Sequence, residues 1–120
     1  MTVAYWIVAA LLAAFYLYGG ALKAVRSRER LRPMMAWVDS MPMPAVRAVG
    51  VVEVLGAAGL VLPPLTGVAP GLAPAAAVGF VLLQIGATGV HLRLGDRRIA
   101  LNLTLLTVAA ATVPLGTVWL

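Results

Sequence analysis

At 120 residues the chain is long enough for one domain, yet 62% of it is hydrophobic and only 11% charged, with a mean hydropathy of +1.01. Soluble domains carry roughly 25% charged residues, and a chain this short has nowhere to hide so much apolar surface in water, so the sequence reads as an integral membrane protein. The absence of cysteine excludes disulfides, thiolate nucleophiles, CxxC redox pairs and thiolate metal sites.

Residues 1–22 and 99–120 carry no charge, and 54–92 hold only His91, near the end. Crossing about 30 Å of hydrocarbon takes roughly 20 apolar residues in a helix, so the first and last runs are one span each. They are expected at about 3–22 and 99–118. The middle run is too long for one helix. Pro63, Pro64, Gly67, Pro70, Gly71 and Pro74 make a turn-rich stretch that divides it into spans near 46–62 and 72–91. The expected fold is all-α, a single domain over 1–120 forming an integral membrane four-helix bundle. Strands are the poorer alternative, because the runs do not alternate in polarity and a barrel of four short strands could not close.

The nine basic residues lie in two segments: Lys23, Arg26, Arg28, Arg30, Arg32 and Arg47 between the first two spans, and Arg93, Arg97 and Arg98 between the last two. Both segments fall on one side of a four-span chain. The positive-inside rule places them in the cytoplasm and both termini on the outer face, in the cell's inner (plasma) membrane. The net charge of +5 is thus a topology signal, and with no recognition motif beside it no nucleic-acid partner is expected. The run after Met1 is too long, and lacks the basic flank, for a cleavable signal, so the first span is expected to stay in the mature chain.

In the first loop Pro33 is expected to start a short interfacial helix, with Met34, Met35, Trp37, Val38 and Met41 on its apolar face and Asp39 and Ser40 opposite. It serves either as a connector that caps the bundle or as a docking helix. Pro42 and Pro44 are expected to end it before the second span.

Polar residues inside the spans define the candidate site. Glu53 is the only acid in the hydrocarbon. An acid facing lipid costs on the order of 2.5 to 3.5 kcal/mol, so Glu53 should face the bundle with a partner or a proton. Gly50, Gly56 and Ala57, three or four residues away, offer a small-residue face for close helix approach. On the third span Gln84, Thr88 and His91 share one face, which is expected to lie within hydrogen-bond or one-water reach of Glu53. On the first, Tyr16, Gly20 and Lys23 line up, and Asn102 enters the fourth near the same edge. Lys23, Glu53, His91 and Asn102 can therefore converge on one polar pocket, although Lys23 also reads as an interface anchor and His91 as a snorkelling side chain. A lone histidine with one carboxylate makes no metal site, and no metal is expected.

These residues occur in Gly20-Ala-Leu-Lys23, in the segment from Arg47 to Pro63 carrying Gly50, Glu53, Gly56 and Gly59, and in Gly86-Ala-Thr-Gly-Val-His91-Leu-Arg93 followed by Asn102. Together they resemble the DoxX-like family of small four-helix membrane proteins, over nearly the whole chain. The resemblance implies a four-helix bundle among membrane subunits of quinone-linked oxidation systems or partners of redox-stress enzymes. Without cysteine, any thiol or sulfur chemistry would fall to a partner or a bound cofactor.

The functional expectation is binding of a small amphipathic molecule, with a quinone as one candidate cofactor, by an accessory subunit of a redox-linked membrane system. The pocket is expected to draw on Glu53, His91, Gln84, Asn102, Lys23 and Tyr16. Expected partners are the lipid bilayer, a membrane or cytoplasmic redox enzyme, and a second copy of the chain. Two alternatives stand beside this. Small proton-coupled exporters are also four-helix chains built on one membrane glutamate, but theirs lies in the first helix. An assembly factor would use small-residue faces such as Ala9/Ala13 and Gly79/Gly86 and need no chemistry. No self-sufficient catalytic constellation is visible.

Overall fold

The computed structural model describes residues 2–95 and 99–120. Among them there is no strand; the order is α1 (Thr2–Val25), a single turn α2 (Arg28–Leu31), a 3-10 segment Ala36–Ser40, α3 (Met43–Thr66), α4 (Leu72–Arg93) and α5 (Ala100–Gly116), closed by a 3-10 turn Thr117–Trp119. Four of these helices are long and apolar enough to cross a membrane, counting α5 with its closing turn as one. Arg97 and Arg98 of the expected second basic segment lie outside the described residues.

Each spanning helix buries one stripe spaced alternately three and four residues apart. In α1 it is Tyr5, Ala9, Leu12, Tyr16 and Gly19/Gly20. In α3 it is Val46, Gly50, Glu53, Ala57 and Leu60, and in α4 it runs through Ala73, Ala77, Phe80 and Gln84. That spacing is the seam of a left-handed antiparallel bundle. Around it, α1 packs on α3 and α5, and α4 packs on the other sides of the same two helices. The outward residues are apolar as well: Ile7, Leu11, Val51, Leu55, Leu82 and Leu101 are all exposed. In water this surface would be untenable; in a bilayer it is the solvated face. The chain is a multi-pass membrane protein.

The spans differ from expectation at their ends. Helix α3 runs through Pro63 and Pro64 to Thr66 and stops at Gly67, whose φ of 75° is left-handed and whose N–H bonds Pro63 O. A proline removes one helical bond, and in the final turns little of the helix is left to disrupt. The carbonyl that Pro64 cannot reach, Leu60 O, accepts a hydrogen bond from Tyr5 Oη at 2.5 Å.

The first loop also departs from expectation. Pro33 does not start a helix; it lies in a turn in which Met34 N and Met35 N both bond Leu31 O, and the helical segment that follows is 3-10 and five residues long. Its apolar side is turned against the chain itself: Leu31 and Val38 are buried with Leu22 and Val46, and Met35, Trp37, Met41 and Met43 pack around them. Arg28 fastens the segment by donating to Val38 O and, at 3.0 Å, to Met41 O. Arg32 and Asp39 form a bidentate pair, and this hydrogen bond holds the Asp39 carboxyl below the usual carboxylate range.

Candidate functional site

Five polar residues inside the bundle fall into two bonded groups at neighbouring levels. In the first, Lys23 Nζ of α1 donates to Glu53 Oε1 of α3 at 2.5 Å, with the two side chains 12% and 3% exposed. The approach depends on glycine. A Cβ on Gly20 would stand 2.7 Å from Gly50 O, and one on Gly50 would stand 2.6 Å from Gly20 O and 2.8 Å from Lys23 Cβ, so the two backbones touch where the ion pair forms. Arg47 closes the same junction, donating to Lys23 O at 2.8 Å and also to Arg26 O. It thereby satisfies carbonyls that the end of α1 leaves without helical donors. The ring of Trp37 lies 5.7 Å from Lys23 Nζ, so the loop covers the pair with an aromatic face.

In the second group Gln84 Nε2 of α4 donates to Tyr16 Oη of α1, and Asn102 Nδ2 of α5 donates to Gln84 Oε1 at 3.1 Å. Tyr16 stacks on Phe80, centroids 4.0 Å apart, which ties its ring to α4 across the bundle. Tyr16, Gly19/Gly20 and Lys23 share a face of α1, so the two groups adjoin along that helix. Two buried oxygens are left without a hydrogen-bond partner here, Glu53 Oε2 and Thr88 Oγ1.

Glu53 therefore faces the bundle, and its bonded partner is the lysine of α1 rather than the Gln84 face of α4. The Gln84 amide is committed to Tyr16 and Asn102. Of the six residues singled out in the sequence, five enter these two groups; His91 is half-buried in the last turn of α4, about 10 Å along the axis from Gln84 at 1.5 Å per residue. The small residues divide. Gly50 meets α1, while Gly56 faces Phe80, where a Cβ would stand 2.6 Å from Cζ. Ala9 is fully buried and Ala13 packs against the same core, so that face serves the bundle's own interior, whereas nothing lies within 4 Å of a Cβ on Gly79 or Gly86.

Sequence reasoning did not bring Phe80, Trp37 or Arg47 to the site. Phe80 also walls an apolar groove of about 410 Å³ between α3 and α4, lined by Val52, Leu55, Gly59, Ala76, Gly79 and Leu83 among others. One ring thus both borders the groove and stacks on Tyr16. The signal for Phe80 and Gln84 together was their four-residue spacing, which puts a large aromatic and an amide on one stripe.

A four-span bundle with an intramembrane lysine–glutamate pair and an amide–phenol chain beside it defines the class: a small multi-pass membrane protein with a polar interior. Residues 7–112 match the DoxX-like family, and the chain belongs to it. No curated protein and no solved structure matches it.

Proposed function

We propose that the protein is a membrane-embedded binding subunit for a small amphipathic molecule, with a quinone as the favoured class, serving a redox-linked membrane system from the cytoplasmic half of the bilayer. The observation that carries this reading is the Lys23–Glu53 pair with Glu53 Oε2 unpartnered. A bundle held together by apolar packing needs no ion pair, and burying one recovers little net stability against its desolvation. Keeping one carboxylate oxygen unbonded inside it makes sense if that oxygen serves a visiting group.

The residues fit a quinone-class head. Lys23 and Tyr16 supply donors for its oxygens, Glu53 can hold or accept a proton, and the α3/α4 groove offers apolar walls for a tail. Such a molecule supplies two-electron chemistry when bound; the chain supplies orientation, exclusion of water and proton handling at Glu53.

The test is thermal unfolding of the purified protein in detergent with a short-tailed benzoquinone and, separately, with the matching benzoquinol. Dose-dependent stabilisation is expected from binding to the folded state alone. It should be lost in Glu53→Gln, which keeps the shape of the side chain and removes its charge. A wild-type protein whose Tm moves with neither form up to its solubility limit overturns the reading.

A further inference from the structure

Glu53 and Tyr16 each keep one hydrogen-bonding function in reserve; the first meets Gly19, and the second lies one turn before it on the same buried face of α1. Glu53 Oε1 takes Lys23, while Oε2 is buried without a partner. The phenol of Tyr16 accepts from Gln84, which leaves its own proton to donate. Between them on the α1 face is Gly19, buried in the bundle. A Cβ built there meets Glu53 Oε2 at 3.9 Å, ordinary contact, and no other side chain within 4 Å, that of Tyr16 included. The adjacent Gly20 is the opposite case, closed against Gly50 O at 2.7 Å. Of two successive glycines, one lets the backbones touch and the other leaves a recess that ends on an unpartnered carboxylate oxygen.

Resting on the reading of the bundle as a small-molecule binding subunit, we propose that the Gly19 recess is a site for one hydroxyl oxygen, which accepts from Tyr16 O–H and donates to Glu53 Oε2. Buried acceptors are satisfied by protein or by an inserted oxygen, and a hydroxyl is the smallest group that both accepts and donates. The oxygen belongs to a phenolic or alcoholic ligand or to water. Because Oε2 of a carboxylate already paired with Lys23 can only accept, a carbonyl does not serve: a hydroxylated, reduced ligand is held here and its quinone form is not. With the hydroxyl in place, the two polar groups become one hydrogen-bonded path linking Lys23, Glu53, Tyr16, Gln84 and Asn102.

The test places the hydroxyl there covalently. Gly19→Ser hangs an oxygen from a Cβ that clears its surroundings, and Gly19→Ala is the same change without the oxygen. Alanine is the better helix former, so an indifferent site ranks Ala above Ser. The recess site ranks Ser above Ala by about 2–4 °C in Tm with no ligand present, a shift typical of one added bond, and the advantage disappears in a Tyr16→Phe background. Serine equal to or below alanine overturns the site. A short-tailed benzoquinol, its dimethyl ether and the matching quinone then distinguish the source. Stabilisation of wild type but not Gly19→Ser by the quinol alone assigns the oxygen to a ligand. The serine advantage without any quinol effect assigns it to water, keeping the site and removing the ligand reading. Should neither Gly19 variant fold, the carboxylate stretch of Glu53, isolated by subtracting Glu53→Gln, decides. It shifts between wild type and Tyr16→Phe if a hydroxyl bridges the two, and an unmoved band overturns the proposal.

Discussion

Tyr5 of α1 completes a helix that Pro64 of α3 leaves incomplete: its hydroxyl donates to Leu60 O at 2.5 Å, the carbonyl four residues before the proline. Residue 64 has no N–H to offer. An unbonded carbonyl in hydrocarbon is expensive, so a proline in one helix is offset by a side chain from another, and the contact also pins the start of α1 to the end of α3. Tyr5 in turn makes edge contacts with Trp6 and Trp119.

Tyr5→Phe is expected to destabilise the protein by about 1 kcal/mol, the scale of interhelical hydrogen bonds in membranes. Pro64→Ala, which restores the helical donor, should remove most of that loss. The check is a double-mutant cycle by denaturant titration in mixed micelles. Additive effects of the two changes would show that the hydroxyl and the proline are unconnected.

The glycines give a prediction with its own control. Gly20→Ala and Gly50→Ala drive a methyl group into backbone, at 2.7 Å and 2.6 Å, and are expected to cost about 1–3 kcal/mol or to separate α1 from α3. Gly79→Ala and Gly86→Ala meet nothing within 4 Å and should be neutral or stabilising. Thermal unfolding of the four variants checks the ranking. A loss at Gly79 or Gly86 confined to an oligomeric form would point instead to a partner on that face.

The four spans were legible because hydrocarbon thickness dictates length and composition together. The inward direction of Glu53 was legible for a similar reason, since a charge facing lipid is penalised. Its partner was not. Lys23 stands where an interface anchor belongs, and only the contact of Gly20 with Gly50 brings its amine back to the carboxylate. Helix rotation is set by such contacts between helices, which one helix's periodicity does not encode. Pro64 read as a breaker because the sequence does not show Tyr5 supplying the missing donor. Pro33 read as a helix start because the turn around Leu31 O depends on Leu31 and Val38 being buried together.

The Arg32–Asp39 pair is exposed at both ends, and its effect should be local. The hydrogen bond from Arg32 depresses the Asp39 pKa in the folded state. The pair's contribution is therefore present above the unfolded carboxylate value of about 3.9, and it fades as pH falls through the lower folded value. An NMR titration of Asp39 should inflect below that reference, and Arg32→Gln should return it. Global stability should barely change, as is usual for exposed pairs.

Both termini and the Gly67 turn lie at one end of the bundle, since Trp119 touches Tyr5 and a Cβ on Gly71 would meet Leu120 at 3.4 Å. With the arginine-bearing first loop at the other end, cysteines introduced at Thr66 and Thr117 should label from outside the cell with an impermeant thiol reagent, while one at Ser27 should not. The reverse pattern would invert the orientation and move the Lys23–Glu53 pair to the outer half.

The ion pair itself separates a structural role from a functional one. Removing one partner leaves a charge or polar group uncompensated in the bundle, so Lys23→Met and Glu53→Leu should each cost about 3–5 kcal/mol, the scale for broken buried pairs. Replacing both by apolar residues removes the desolvation penalty along with the attraction. The double variant Lys23→Met/Glu53→Leu should therefore recover most of the stability, with Arg47 still bonding the carbonyls at the end of α1. Were the pair present only to hold α1 on α3, nothing further would be lost in that variant. The binding reading predicts a protein that folds as well as wild type and no longer responds to the quinone or quinol probe. Thermal unfolding with and without probe reads both quantities in one measurement, and a double variant that keeps the full response would show that the ligand is held elsewhere.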